Sequence, residues 1–241
     1  IALNRRMNHT LEATAAALFQ SWFVDFDPVV AKAEGRRAVG VPADVHDALP
    51  SVFSKGSDEL IPAGWEFRPI GELARVVGGS TPSTSDPRYW HGAIRWATPR
   101  DLAGLPSPIL LETAQRITEA GLARISSGLL PRGTVLLSSR APIGYIALAA
   151  EPTAINQGFI ALVCDGALPN LYVLHWLRAN MDAIEARANG TTFLEISKTN
   201  FRPIPAILPS APVLAAFTEL VGPLHERVES NERENRTLAA R

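Results

Sequence analysis

The sequence has one cysteine, Cys164, among 241 residues, and it contains no long uninterrupted run of apolar residues. A single cysteine excludes an intrachain disulfide and a zinc site built from several thiolates. The longest apolar runs fall short of the ~18 residues that a membrane span needs, and the first residues lack the features of a secretory signal. We therefore expect a cytoplasmic protein that does not associate with a membrane.

Motifs of common catalytic and cofactor sites are also missing. The glycines of VVGGSTPSTSDP are not followed by Gly-Lys-Ser or Gly-Lys-Thr, and no G-x-G-x-x-G follows a strand. HERVE at 225–229 is not H-E-x-x-H, and the serines of SSRAPIG at 138–144 lie in no G-x-S-x-G turn. We expect no catalytic residue, metal or cofactor in this chain. An alternative, a hydrolase or transferase site among the loop serines and arginines, lacks a visible base.

Charge is distributed unevenly along the chain. The formal net charge is −1, which argues against a protein coated with basic residues. Between Arg68 and Arg140, however, there are nine arginines, no lysine and five acidic residues, a local excess of +4. Such a segment is compatible with a focused surface for nucleic acid, and equally with scattered surface arginines.

The chain opens and closes on nearly the same phrase, NRRMNHTL at 4–11 and NERENRTL at 231–238, which agree at five of eight positions. In both copies apolar residues and asparagines alternate at spacings of three and four, which is typical of a coiled-coil seam. The residues that we expect to pair the helices are Asn4, Asn8, Leu11, Leu18, Leu214, Phe217, Val221, Leu224, Val228, Asn231, Asn235 and Leu238.

The asparagines of this seam are expected to fix its register, unless they face solvent at its margin. Gly222-Pro223 predicts a kink or a restart in the second helix, because proline lacks the amide donor. The second helix, of about 29 residues and ~44 Å, is longer than the first, at ~33 Å. We therefore expect Val228 to Leu238 to pair with another chain in a two-fold homodimer.

Four segments follow from this pattern: an N-terminal helix over 1–27, a linker over 28–59, a globular domain over 60–209 and a C-terminal helix over 210–241. Short apolar runs predict strands in the domain, and Asn170 to Ala188 reads as one helix that ends at Asn-Gly. The fold class is α/β (α+β) with flanking coiled-coil helices. The predicted strands are Arg75–Val77, Ile94–Ala97, Val135–Ser138, Tyr145–Ala149 and Gly158–Val163.

Polar loops lie between these strands, over 78–101, 138–145, 156–157 and 191–198. Arginine matches the guanine edge, and asparagine or glutamine matches adenine, so such loops are chemically able to read bases. For any one residue a structural role is the alternative. The candidate DNA-binding residues are Ser80, Thr81, Ser83, Arg88, Tyr89, Arg100, Ser139, Arg140, Tyr145, Asn156, Gln157 and Lys198.

Near its start the chain has LNRRMNHTLEATAAALFQSWFVDFDPV followed by AKAEGR. This string is similar to the central conserved region of the specificity (S) subunit of type I restriction–modification enzymes, and the resemblance covers nearly the whole chain. The strings LIPAGWEFRPIGEL, LLPRGTVLLSSRAPIGYIAL and GTTFLEISKTNFRPIPAILP resemble its target recognition domain, and FTELVGPLHERVESNERENRTLAAR resembles its distal helix. The chain departs from the family in carrying a single recognition domain.

The resemblance implies a non-catalytic subunit that reads one half of a bipartite target in double-stranded DNA and docks methyltransferase (M) subunits through its helices. Restriction (R) subunits would join through M, and S-adenosylmethionine, Mg²⁺ and ATP would act in those partner subunits. The repeated phrase would then mark one repeat of a two-fold architecture, and we expect the chain to be a piece, such as the C-terminal half, of a longer subunit or a half-length form. An alternative is a helical scaffold whose globular domain does not read bases.

Overall fold

Two long helices at the ends of the chain enclose a mixed α/β domain, which confirms the expected fold class. The computed structural model describes residues 1–38, 40–55, 60–190 and 194–240. Its helices are α1 (Ala2–Phe23), α2 (Asp27–Ala33), α3 (Ala43–Ala48), α4 (Ile70–Leu73), α5 (Pro99–Leu102), α6 (Glu119–Leu122), α7 (Asn170–Ala179), α8 (Met181–Glu185), α9 (Lys198–Phe201) and α10 (Ala211–Ala239). Within these residues, no helix combines the length and apolarity that crossing a membrane requires.

The strands are short and fall into four sheets. They are β1 (Phe53–Lys55), β2 (Leu60–Pro62), β3 (Glu66–Pro69), β4 (Arg75–Val77), β5 (Trp90–Ala97), β6 (Ile109–Leu110), β7 (Gln115–Ile117), β8 (Val135–Ser139), β9 (Ile143–Ala149), β10 (Thr153–Ile155), β11 (Phe159–Val163) and β12 (Pro205–Leu208). The largest sheet has the order β4-β11-β8-β9-β6, a three-stranded sheet has the order β10-β5-β7, and β1-β2 and β12-β3 form two pairs.

The five-stranded sheet is apolar on both faces because two cores cover it. Along β8, Val135 and Leu137 belong to the core beneath α7, whereas Leu136 faces the opposite core with Phe159 and Ala161 of β11. Alternate residues of a strand point to opposite faces, so continuous apolar strands are expected where both faces are covered. This explains why the predicted strands lacked a polar face.

Each predicted strand corresponds to an observed one, but the predicted helix over 170–188 is wrong in its continuity. The helix stops at Ala179, and α8 begins after Asn180. The Asn180 side chain donates a hydrogen bond of 2.9 Å to the Trp176 carbonyl oxygen, which satisfies an acceptor at the end of α7. An asparagine that bonds the backbone locally favours helix ends over helix interiors.

The predicted linker is ordered into α2, α3 and β1 where the structure describes it. Its apolar residues Val29, Val45 and Leu49 are buried in the main core. The Lys32 ammonium donates to the carbonyl oxygens of His46, Asp47 and Leu49, at 2.8, 2.9 and 2.6 Å, and so neutralises the negative end of α3. This lysine fixes the segment against the body of the protein.

The helices α1 and α10 run antiparallel along the repeated phrase. The Asn231 side chain donates to Asn8 Oδ1 at 2.7 Å, and Asn4 donates to Asn235 Oδ1 at 3.1 Å. Asn8 also donates to Glu232 Oε1 at 2.6 Å. Both asparagine pairs therefore lie between the two helices of one chain.

This pairing overturns the length argument for a homodimer. The distal part of α10 is covered by α1, with Val228 and Asn231 each 1% exposed. Its proximal residue Val213 is buried in the globular core, and Phe217 is buried where that core meets Phe23 of α1. The extra length of α10 over α1 therefore packs against the domain of the same chain, and it gives no reason to expect a second chain. The other seam residues Leu214 and Val221 are also buried, Leu11, Leu18 and Leu224 are partly buried, and Leu238 is exposed.

Of the kink or restart predicted at Gly222-Pro223, the restart is wrong, because α10 is continuous across Pro223. A proline inside a helix costs roughly 3 kcal/mol. Here the buried Val221 and Val228 hold the helix on both sides of the proline, and Pro223 itself is exposed. Packing on either side therefore maintains the helix.

Candidate nucleic-acid interface

Two adjoining clefts open on the side of the domain formed by β5, β7 and the loops around them. The outer cleft, of about 680 Å³, is lined by residues 84–85, 87, 90–92, 96 and 114–116. The inner cleft, of about 500 Å³, is lined by residues 96, 98–101, 114–115, 140–141, 156 and 158. Trp96, Ala114 and Gln115 line both, so the clefts form one continuous depression, which we call the groove.

The rim of the outer cleft is the loop over 78–90, and two tryptophans fasten it. The Trp96 indole donates to the Ser80 carbonyl oxygen at 3.3 Å, and the Trp90 indole donates to that of Ser83 at 2.9 Å. The two rings meet edge to face at 5.0 Å. At Gly79 a Cβ atom would approach the Ile155 carbonyl oxygen to 1.8 Å, so only glycine fits there.

The inner cleft is organised by the Asp101 carboxylate at the start of α5. Its Oδ2 accepts from the Thr98 amide at 2.7 Å and from the Thr98 hydroxyl at 2.8 Å, as in a capping box. Its Oδ1 accepts from the Ala114 amide at 2.7 Å. Asp101 thus ties α5 to the strand β7, which begins at Gln115.

Two non-glycine residues with positive φ lie at the groove, His91 in the outer cleft at 60° and Ala141 in the inner cleft at 53°. A residue other than glycine adopts positive φ at an energetic cost. Strained backbone of this kind is often found at functional sites.

The structure brings three of the predicted DNA-binding residues together in the inner cleft: Arg100, Arg140 and Asn156. Arg140 lies 3.6 Å from the Glu195 carboxylate, and Asn156 Oδ1 accepts from the Gly158 amide at 2.9 Å. Arg100 is exposed, and among the described residues it has neither an ion-pair nor a hydrogen-bond partner. Each of the other eight arginines between Arg68 and Arg140 has an ion-pair or hydrogen-bond partner.

Other predicted residues lie around the outer cleft but already serve the loop. The Ser80 hydroxyl donates to the Arg124 carbonyl oxygen at 3.0 Å and accepts from the Ser126 amide at 3.1 Å. The Tyr89 hydroxyl accepts from Arg124 Nε at 3.2 Å. Two further hydroxyls have hydrogen-bond partners within the loops, Thr81 with the Gln157 side chain and Ser83 with Ser85.

Arg88 is held by a carboxylate of its own loop. Its Nη2 lies 2.7 Å from Asp86 Oδ2, and its Nε lies 3.0 Å from Asp86 Oδ1. Hydrogen bonds from Arg88 lower the pKa of Asp86 to about 2, so the carboxylate stays charged and the arginine stays compensated. This makes Arg88 a weaker candidate than Arg100 for contact with DNA.

One predicted residue is corrected by its burial, and a second lies away from the groove. Ser139 is 2% exposed, because β8 continues through it and pairs its backbone with Gly158 and Ile196, so its side chain cannot reach a ligand. Tyr145 lines a different cavity, beside Glu12 and Arg178 at the junction with α1. Lys198 is exposed and lies near Gly78, and Thr191 and Thr192 of the same predicted loop lie outside the described residues.

The structure adds Gln115, Thr98 and His91 to the groove. Gln115 is exposed at the start of a three-residue strand that no periodicity indicates. Its only sequence signal is a polar amide side chain within the arginine-rich segment. Among the described residues, no group of three or more His, Cys, Asp or Glu side chains is placed to hold a metal ion.

Comparison with known proteins identifies the domain that carries the groove. Residues 62–213 match the family model described as the type I restriction modification DNA specificity domain, which is more than half of the chain. This chain belongs to the type I restriction-modification specificity family. The match covers the globular domain itself, so the alternative in which that domain only spaces the helices is not supported.

Curated relatives of this family include the specificity subunit of the type I restriction enzyme MjaIX from Methanocaldococcus jannaschii. It is 33% identical over 180 residues, which are 74% of this chain and 42% of the relative. The HindI specificity subunit from Haemophilus influenzae is 25% identical, with 99% of this chain and 60% of the relative covered. The chain spans about half the length of these relatives.

Solved structures of the family share the fold. The HsdS subunit from Thermoanaerobacter tengcongensis matches 95% of this chain and 52% of its own length, with a TM-score of 0.51 and 20% identity. A structure described as showing complex assembly and conformational transition of the type I R-M system has the same TM-score over 99% of this chain. These matches extend the likeness to the end helices that the family model does not cover.

Proposed function

We propose that this chain is the part of a type I specificity subunit that reads one half of a bipartite target in double-stranded DNA. The observation that carries the proposal is the coincidence of two independent findings on residues 62–213. The specificity family model matches this segment, and the segment forms a groove that presents polar side chains and an arginine without a compensating acid.

The groove has the chemistry that recognition of bases requires. Arginine, glutamine, asparagine and threonine side chains line it, and the loops that carry them are fastened by the tryptophans and by Asp101. Base edges are read by hydrogen bonds in the major groove, and a rigid frame makes such contacts selective. The compensated arginines around the groove would contact phosphates, which sets position and affinity without setting sequence.

We further propose that methylation and cleavage belong to partner subunits and that the helix pair docks the methyltransferase. Restriction subunits would join through the methyltransferase. Apolar side chains are exposed at the free end of the pair, with Ile1, Leu3 and Leu238 exposed by 43%, 63% and 42%. Exposed apolar residues grouped on a surface mark sites of protein interaction. A homodimer is not part of the proposal, because α1 covers the distal seam.

The recognition function is tested by selecting binders of the full chain from a randomised duplex library and measuring their affinity across a salt series. We expect a selected duplex to bind about 10³-fold or more tightly than a scrambled one, with the ratio kept as salt rises. Equal binding of both duplexes, with affinity governed by salt alone, would refute base recognition.

The docking function is tested by co-purification with the methyltransferase subunit of the same restriction system. Leu3→Glu places a charge on the exposed apolar end and should reduce recovery of the complex. Thr14→Ala, on the same helix and exposed, is the matched control. Full recovery with Leu3→Glu would place the docking surface elsewhere.

A further inference from the structure

The clearest unassigned feature of the groove is a pair of exposed polar side chains joined by one hydrogen-bonded connection. We infer that Arg100 and Gln115 are the sequence-determining pair of this chain, reading guanine and adenine respectively, and that the Asp101 carboxylate fixes their relative position. The inference rests on the proposed function and adds to it the residues that set the sequence. The argument has three steps.

The first step concerns charge. Arg100 is the one arginine of the arginine-rich segment that lacks an internal partner within the described residues, and it lies on the wall of the inner cleft. An arginine bound to a carboxylate must break that ion pair before it contacts a base, whereas Arg100 has nothing to release. Its planar guanidinium matches the O6 and N7 atoms of guanine with two hydrogen bonds.

The second step concerns Gln115, which lies where the two clefts meet and therefore faces the whole groove. It is exposed, and no side-chain hydrogen bond engages its amide within the described residues. A glutamine amide both donates and accepts, which matches N7 and N6 of adenine.

The third step is the connection between them. Asp101 follows Arg100 in the chain, and Ala114 precedes Gln115, so the 2.7 Å hydrogen bond from the Ala114 amide to Asp101 joins the two reading positions. The other carboxylate oxygen is occupied by Thr98. Both oxygens are therefore used inside the protein, and Asp101 is a positioning residue that does not read a base itself.

The shared cleft limits how far apart the two bases lie. The hydrogen bond between Ala114 and Asp101 keeps Arg100 and Gln115 on one cleft, beside a duplex that rises ~3.4 Å per base pair. Arg100 and Gln115 should therefore act on positions separated by at most about three base pairs.

The experiment uses the full chain and the duplex selected from a randomised library, with every base pair substituted in turn. Arg100→Lys keeps the charge but loses the two-pronged donor, so it separates base reading from phosphate contact. We expect Arg100→Lys to lose about 5- to 150-fold discrimination at one G·C pair, and Gln115→Ala to lose a similar factor at one A·T pair. Arg75→Ala removes an exposed arginine paired with Asp165 outside the groove and should change no position.

Asp101→Asn tests the connection, because it leaves one acceptor oxygen where the Ala114 amide and the Thr98 donors together use two. It should weaken discrimination at the same two positions and at no other, whereas a general loss of structure would weaken all positions together. Thr98→Ser, which keeps the hydroxyl, should retain discrimination at both. Relaxation of neither position by Asp101→Asn would overturn the positioning role.

Failure of the proposed function can be distinguished from failure of this inference. A wild-type chain without any sequence preference would overturn the proposed function and this inference together. A wild-type preference that Arg100→Lys and Gln115→Ala leave intact would overturn the inference alone. Affected positions more than about three base pairs apart would overturn the shared site in the inner cleft.

Discussion

The buried asparagine pair between α1 and α10 makes a quantitative prediction about stability. Asn231 donates to Asn8 Oδ1, and Asn8 donates to Glu232 Oε1, so Asn8 is the centre of a three-residue network in which each member is at most 7% exposed. Removing one partner of a buried hydrogen bond leaves the other unsatisfied, which costs about 1–3 kcal/mol, and more where a charged group is left.

Asn8→Ala should therefore destabilise the chain more than Asn231→Ala, because it leaves both Asn231 and the Glu232 carboxylate without their partner. We expect about 3–4 kcal/mol for Asn8→Ala and about 2 kcal/mol for Asn231→Ala. The double variant should cost less than the two single changes together by about 1–2 kcal/mol, since the second change removes a group that the first has already left unsatisfied.

Urea unfolding of the wild type, the two single variants and the double variant measures this coupling. Equal slopes of the four transitions would show that the variants differ in stability alone. Thr14→Ala, exposed on the same helix, serves as the control for a change of helix propensity. Additive effects, with Asn8→Ala no worse than Asn231→Ala, would refute the reasoning and place both side chains in contact with water.

Three further stability predictions come from buried contacts. Lys32→Met should lower the free energy of unfolding by about 1–3 kcal/mol in a urea titration, because three carbonyl oxygens lose their donor. Phe217→Ala should cost about 3–5 kcal/mol in thermal melts, since its ring is fully buried between α1 and α10. Burial lowers the pKa of His175 to about 3 and that of His225 to about 4, so the folded state keeps both neutral while unfolded histidines take up protons below pH ~6.5. The two histidines therefore make the free energy of unfolding depend on pH. It is highest above pH ~6.5 and falls by about 2 kcal/mol between pH 7 and 5.5.

A double replacement tests the histidine pair. Replacing both buried histidines by leucine should flatten the pH dependence of the free energy of unfolding between pH 7 and 5.5. A wild-type stability that is constant over this interval would contradict the burial of the pair. Wild-type melting temperatures for Lys32→Met or Phe217→Ala would contradict the contacts that the structure gives these residues.

The end helices were predictable because their signal is local. Spacings of three and four along Asn4 to Leu18 place residues on one stripe whatever the rest of the chain does. The antiparallel match of α1 to α10 was missed in the length argument, since length alone does not tell which part of α10 the domain uses. The His175 and His225 contact joins residues far apart in sequence, and no pattern in the sequence indicates it.

The groove was only partly predictable, for a related reason. Arg100 and Asn156 lie in polar loops that composition indicates. Their neighbour Gln115 reaches the groove through a three-residue strand and through the hydrogen bond that the preceding Ala114 amide donates to Asp101. Ser139 was predicted to lie in the loop after a strand ending at Ser138, yet the pairing with Gly158 and Ile196 extends the sheet through it. Hydrogen bonds between residues far apart in the sequence therefore determine where Gln115 and Ser139 lie, and no local pattern indicates them.

The central claim is that the groove between α5 and β7 contacts duplex DNA. Amide hydrogen exchange of the full chain, measured with and without the selected duplex, tests it most directly. We expect slower exchange over 98–101 and 114–116, and unchanged exchange over 66–69 and 205–208, which pair with each other away from the groove. Protection confined to the end helices, with the groove segments unaffected, would contradict the account.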